Sequence, residues 1–170
     1  MTMIRYSTIK DALGVAEVHV SSWQQAYQGL LPDDFLCSLS TKQRFEIWKN
    51  AIHNFPEQTI IYEQEKRIIG FSNFGKNRDP DLSEETGEIR ALYLLAEYWS
   101  NGIGYQLLKY SLEKLEERGF KKVSLWVLDT NQRAINFYQK AGFHFDGQNK
   151  REDNGKITFN EVRMIKTMHS

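Results

Sequence analysis

A single cysteine, Cys37, is all the thiol this 170-residue chain carries. That rules out an internal disulfide and a thiolate metal cluster, and Cys37 is expected as a small buried hydrophobe. Excess charge of either sign is also missing: Lys+Arg and Asp+Glu are both 22, so nothing favours nucleic acid or an anionic membrane as a partner. No apolar run approaches the ~18 residues of a membrane span, and the polar opening MTMIRYSTIKD does not read as a signal peptide. Repeats, linkers and low-complexity tracts are absent. What is left is the expectation of one domain over residues 1–170, cytoplasmic, large enough to bury a real core.

Against these absences one stretch stands out, Glu88 to Gly119. Ala91, Leu92, Tyr93, Leu94 and Leu95 form an unbroken apolar run that suits a strand covered on both faces. Ile103, Leu107, Leu108, Leu112 and Leu115 then recur at a period near 3.6, with Lys109, Glu113, Lys114, Glu116 and Glu117 opposite, and Gly119 is placed to close the helix. Between strand and helix lie Trp99, Ser100, Asn101, Gly102, Ile103, Gly104 and Tyr105. Glycines at 102 and 104 let backbone N–H groups close on a phosphate at the positive end of the helix dipole. The loop is neither a dinucleotide fingerprint, because Leu107 stands where a third glycine is needed, nor a P-loop, because no G-K-[ST] follows. A plain strand-to-helix turn is the competing reading.

The remaining elements follow in order. Met3 to Ser7 alternates like a short strand; a helix capped by Asp11 runs to about Tyr27, with His19 as a packing residue. Trp23 and Tyr27, one turn apart, form a wall of a pocket or of the core. A further helical stretch begins after Pro32 and runs to about His53, with an interruption at Ser38 to Thr41. Gln58 to Tyr62 and Arg67 to Phe74 make a hairpin, and Asn77 to Gly87 an acidic loop. If that loop borders a substrate mouth, Asp79, Asp81, Glu84 and Glu85 would draw a cationic amine. Lys122 to Leu128 is a second buried strand, parallel to the first across a right-handed crossover. A helix over Asn131 to Ala141 and a hairpin of Phe143 to Gln148 with Ile157 to Met164 complete an α/β mixed sheet flanked by helices, with a strand-loop-helix cofactor site.

Two of these stretches, EIRALYLLAEYWSNGIGYQLL and LWVLDTNQRAINFYQKAGFHFDG, resemble the acyl-CoA motif and the N-x-x-A-x-x-F-Y-x-x-x-G-F signature of the GNAT superfamily of N-acetyltransferases. Trp99 departs from the motif's usual Gln or Arg, and Ala96 from a common proline. The resemblance implies acetyl-CoA as co-substrate, held by Leu92, Tyr93, Leu94, the 99–105 loop, Asn131 and Tyr138, with direct transfer to an amine. It implies Glu88 as general base, the Leu92 N–H as polariser of the thioester carbonyl, and Tyr138 as proton donor to the thiolate. Asn131 would bond the pantetheine, its rival role being a helix N-cap. Trp23, Tyr27 and Glu88 would meet the acceptor. No metal is implied. A small amine or polyamine is the favoured acceptor; a protein N-terminus or lysine, an aminoglycoside, or a non-catalytic acyl-CoA-binding module are the alternatives. A homodimer stays open.

Overall fold

A computed structural model describes residues 2–168. The chain runs β1 (Thr2–Tyr6), α1 (Ala12–Ala26), α2 (Asp33–Cys37), α3 (Thr41–Asn54), β2 (Thr59–Gln64), β3 (Arg67–Lys76), β4 (Thr86–Leu94), α4 (Ile103–Glu117), β5 (Lys122–Leu128), α5 (Gln132–Lys140), β6 (His144–Asp153) and β7 (Thr158–Thr167). Its strands form one sheet in the order β1-β2-β3-β4-β5-β7-β6. Only β4 and β5 are parallel neighbours, as a strand-helix-strand crossover demands; every other pair is antiparallel.

Alternation along β3 explains the layers. Phe71 meets the rings of His19 (α1) and Trp48 (α3) at centroid distances of 6.0 and 5.0 Å, whereas its neighbour Ser72 accepts a 2.8 Å hydrogen bond from Ser111 of α4. Successive strand residues point to opposite faces, so α1 and α3 cover one face and α4 the other. The apolar stripe of α4 is buried as its period requires: Leu107, Leu108 and Leu115 have no exposed surface.

The feature that positions the site is a parting of strands. β4 and β5 pair only through Thr86–Glu88 and Lys122–Ser124. Beyond that they run on to Leu94 and Leu128 without meeting. At the parting β4 carries a bulge: Asn73 pairs with Ala91 and Phe74 with Ile89, which leaves Arg90 as the extra residue. A bulge bends and twists its strand. The Arg90 guanidinium lies over Gly75, where a Cβ would stand only 2.7 Å from Nη2, and donates to Lys76 O and Gln58 Oε1.

Several expectations are corrected here. β4 begins at Thr86, ahead of the apolar run that marks it in the sequence, and that run is not covered on both faces: Ala91, Leu92 and Tyr93 are half-buried because they border the gap. The Asp11 side chain does not cap α1; its carboxylate turns back to the Thr8 N–H and to Arg5. Cys37 is exposed, since Phe35 and Leu36 supply the buried side of that short helix and the next position faces out. The final hairpin is longer than its apolar pattern suggested, reaching Asp153 and starting again at Thr158.

Candidate active site

The gap between β4 and β5 widens into a cavity at each side. The first, about 310 Å³, is mostly apolar and collects Leu92, Tyr93, Leu94, Trp99, Ser100, Gly102, Gly104, Tyr105 and Tyr138 from the residues singled out in the sequence. Its loop is shaped by backbone. Ser100 (φ 67) and Gly102 (φ 81) are left-handed, and Gly102 is the residue before the first turn of α4. The α4 N-terminus therefore opens toward the cavity with its first N–H groups free of intrahelical partners. A Cβ at Gly104 would meet nothing nearer than Phe137 at 3.5 Å, so the bare backbone leaves a space there without the fold requiring it.

The unpaired edge of β4 adds further donors. Leu95 N–H donates to Ile69 O at 3.0 Å, so N–H groups of the odd-numbered residues here point toward β3. Those of Leu92 and Leu94 point into the gap. Asn131 and Ile103 are placed differently from the rest. Asn131 is buried deeper, in the narrow passage between the strands, and its Oδ1 accepts from Ala134 N as the N-cap of α5, which leaves its amide nitrogen and one lone pair of Oδ1 for a ligand. The Ile103 side chain is in the core, leaving its backbone alone at the loop, and Asn101 is exposed outside the cavity wall.

Trp99 carries its own explanation. Its indole N–H donates to Leu94 O at 2.9 Å, and the Arg133 guanidinium stacks 3.5 Å from its ring centroid. A cation thus stands at the cavity mouth although position 99 has none, delivered from α5 across an aromatic face. Arg133 was not singled out in the sequence; its place within N-Q-R-A, one residue before Ala134, was the only available signal.

Three phenols line the passage. Tyr93 borders both cavities, Tyr27 and Tyr138 each one of them, and all three border the channel between. Burial is the first cause pushing each above its ordinary value, so all three are hydrogen-bond donors at neutral pH. His19 stacks on Tyr93 at 5.3 Å. Burial holds its imidazole at about 3, neutral, with Nδ1 accepting from the Trp48 indole. It is a packing residue, as expected.

The second cavity, about 240 Å³, is lined by the rings of Trp23, Tyr27, Tyr93, Trp126 and Phe159 and by an unusual density of charge: Arg78, Arg90 and Lys150 against Glu88, Glu152 and Glu161. Trp23 and Tyr27 meet edge to face at 5.0 Å, forming the wall their spacing suggested. The Trp23 indole N–H faces Tyr93 without closing a hydrogen bond. Glu88 is 2% exposed. Its Oε1 accepts from the Arg78 N–H (3.1 Å) and Nε (3.2 Å), its Oε2 from Arg78 Nη2 (2.7 Å). A carboxylate oxygen has two lone-pair sites, so Oε2 keeps one to offer.

The acidic loop does not supply the negative charge expected of it. Asp79 and Asp81 both bind Arg163, which is 3% exposed and also held by Asp146; Asp79 further accepts from the Trp126 indole. Glu84 pairs with Lys76 and Glu85 with Lys121. Those four carboxylates face internal partners. The acids that join Glu88 in facing the cavity, Glu152 and Glu161, come from the last hairpin, where no motif marks them.

A passage with a separate mouth on each side of a parted sheet suits a two-substrate transferase, each substrate entering from its own side. Comparison with known proteins makes that class specific. The chain belongs to the acetyltransferase (GNAT) family, which matches residues 20–143, and is an N-acetyltransferase; the family uses acetyl-CoA. It is 31% identical over 157 residues to the uncharacterized N-acetyltransferase YuaI of Bacillus subtilis, covering 92% of this chain and 86% of that one. It is 26% identical over 148 residues to the B. subtilis spermine/spermidine N(1)-acetyltransferase, covering 85% and 89%. Among solved structures, the PaiA N-acetyltransferase of Thermoplasma acidophilum in complex with coenzyme A has the same fold, with a TM-score of 0.75, 22% identity and 99% of each chain covered. Among the described residues no helix is long and apolar enough to cross a membrane.

Proposed function

We propose that this enzyme transfers the acetyl group of acetyl-CoA directly to a primary amine of a small cationic molecule, a polyamine or a related small amine. The observation that carries the reading is the second cavity, whose aromatic rings and carboxylates suit an ammonium. Similarity to a spermine/spermidine acetyltransferase supports the same choice.

The residues fit the co-substrate. A diphosphate suits the Gly102–Gly104 loop and the α4 N-terminus, with Arg133 adding charge, and the apolar walls of the larger cavity suit a pantetheine arm. The Leu92 N–H is directed into the gap, where it would polarise the thioester carbonyl.

The acceptor arrives mostly protonated, because an alkylamine has a pKa of about 10. In this reading Glu88 Oε2 accepts that proton, directly or through one water, while Arg78 fixes the carboxylate's orientation. The amine nitrogen then forms a bond to the acetyl carbon as the bond to sulfur breaks, and the second proton the nitrogen sheds balances the one the thiolate takes up to leave as CoA thiol. Tyr138 donates toward the departing thiolate. With its phenol pushed up by burial, it works mainly as a hydrogen-bond donor, since a thiol near 8.5 is the stronger acid. The test is thiol release with acetyl-CoA across a panel of monoamines, diamines, polyamines, an aminoglycoside and a peptide with a free N-terminus. Turnover concentrated in the small amines is expected; turnover confined to the peptide or the aminoglycoside would refute the reading.

A further inference from the structure

The register of the last three strands gathers one chemical feature on one face. Trp126 and Leu128 of β5 pair with Arg163 and Glu161 of β7; Glu161 and Phe159 pair in turn with Lys150 and Glu152 of β6. Alternation sends these side chains to the same side of the sheet. There the Lys150 ammonium lies 4.3 Å from the centroid of the Trp126 ring, 3.3 Å from Glu152 Oε1 and 3.8 Å from Glu161 Oε1, within the acceptor cavity. An ammonium over an indole face with two carboxylates beside it is a complete cation site, filled by the chain's own lysine.

The occupant is held loosely. Lys150 stands on the edge strand of the sheet with its side chain 35% exposed, so the four-carbon stem has water to swing into. Arg163, which also lies near Trp126 at 5.5 Å, is fixed by three aspartates and has no such freedom. Glu161 depends on a cation: burial pushes its carboxyl up, and Lys150 is the first group opposing that.

We infer that Trp126, Glu152 and Glu161 form a subsite for a second, non-reacting cationic group of the acceptor, which Lys150 occupies until the acceptor displaces it. The inference rests on the amine reading above and narrows it to diamines and polyamines. The two ends of such an acceptor need opposite environments. The nitrogen that attacks must lose its proton, whereas an aromatic face with two carboxylates stabilises the protonated form. The site therefore suits the end that stays charged. A monoamine with its nitrogen at the thioester has nothing to replace Lys150 and gains nothing from the site.

The test compares 1,4-diaminobutane and spermidine with 1-aminobutane, using wild type, Lys150→Met and Lys150→Gln. Steady-state kinetics and calorimetric titration of each amine into the protein with CoA are both measured. Removing the competing ammonium should lower KM for the diamine and spermidine by about tenfold more than it changes KM for 1-aminobutane. A KM that is unchanged or higher for the diamines in both variants would overturn the inference, as would an equal change for all three amines. Should none of the amines be acetylated, the amine reading fails and calorimetry decides the subsite separately. Tighter diamine binding to the variants sustains it, and binding that is equal, weaker or absent throughout overturns it.

Discussion

The two sides of the parted sheet are built in different ways. The side proposed here for the cofactor comes from two short contiguous stretches, residues 92–105 and 133–138 with Ser22 and Ala26 behind them, and backbone shapes its loop. The side proposed for the acceptor is assembled from side chains scattered from Trp23 to Glu161 and brought together by sheet register. One side is apolar with a cation at its mouth, the other aromatic and densely charged. Such a division implies that each side can be damaged with little effect on the other.

The largest separation should come from Arg163→Leu. This arginine ties Asp79 and Asp81 of the loop after β3 to Asp146 of β6 and lies 5.5 Å from the ring of Trp126, which lines the second cavity. Removing it leaves aspartates packed without their partner, for which about 3 kcal/mol of lost stability is expected. Denaturant unfolding measures that loss. The protein that remains folded should bind acetyl-CoA as before but require far more amine for half-maximal turnover. A stability change under about 1 kcal/mol would mean that the aspartates find water instead.

On the opposite side, Gly104→Val should cost roughly a hundredfold or more in acetyl-CoA affinity, because a branched side chain fills the space where backbone would meet the diphosphate. The fold should survive, since a Cβ at 104 has only ordinary contact with Phe137. Calorimetric titration reads the affinity and a melting curve the fold. Unchanged affinity in a folded variant would remove this loop from the cofactor site.

These two sites also differ in how far the sequence foretold them. The cofactor side was legible because its determinants are local. A strand, a glycine pair, a helix N-terminus and the N-Q-R-A stretch sit in fixed spacing, and nearly all the residues singled out line the cavity. The exceptions are Ile103, needed by the core, Asn101, exposed outside the wall, and Asn131, set deeper in the passage. The acceptor side resisted for two reasons. Asp79 and Asp81 read as solvent-facing acids because nothing local says that Arg163, 84 and 82 positions away, will reach them. Lys150, Glu152 and Glu161 lie in an alternating hairpin whose register shifts between Phe145 and Asn149, so which charges face inward is decided by a bulge that the hydrophobic pattern does not mark.

Glu88→Gln is expected to act more gently, through pH. The amide keeps the shape of the carboxylate and can still accept from Arg78, but it cannot take a proton. Reaction then relies on acceptor that is already neutral, a fraction that rises about tenfold per pH unit below an amine pKa of about 10. The variant should be slowest near neutrality and partly recover at alkaline pH, with acetyl-CoA affinity unchanged. Profiles of turnover against pH that superimpose on wild type would remove Glu88 from the proton path.

The most direct test of the division itself is Glu161→Gln, measured in one preparation for acetyl-CoA affinity by calorimetry and for spermidine KM by thiol release. Glu161 lines the acceptor cavity and takes no part in the cofactor one. The account predicts acetyl-CoA affinity within about twofold of wild type and a spermidine KM raised about tenfold by the loss of one partly buried carboxylate from the cation subsite. An affinity for acetyl-CoA that falls as much as KM rises, or a KM that does not move, would contradict it.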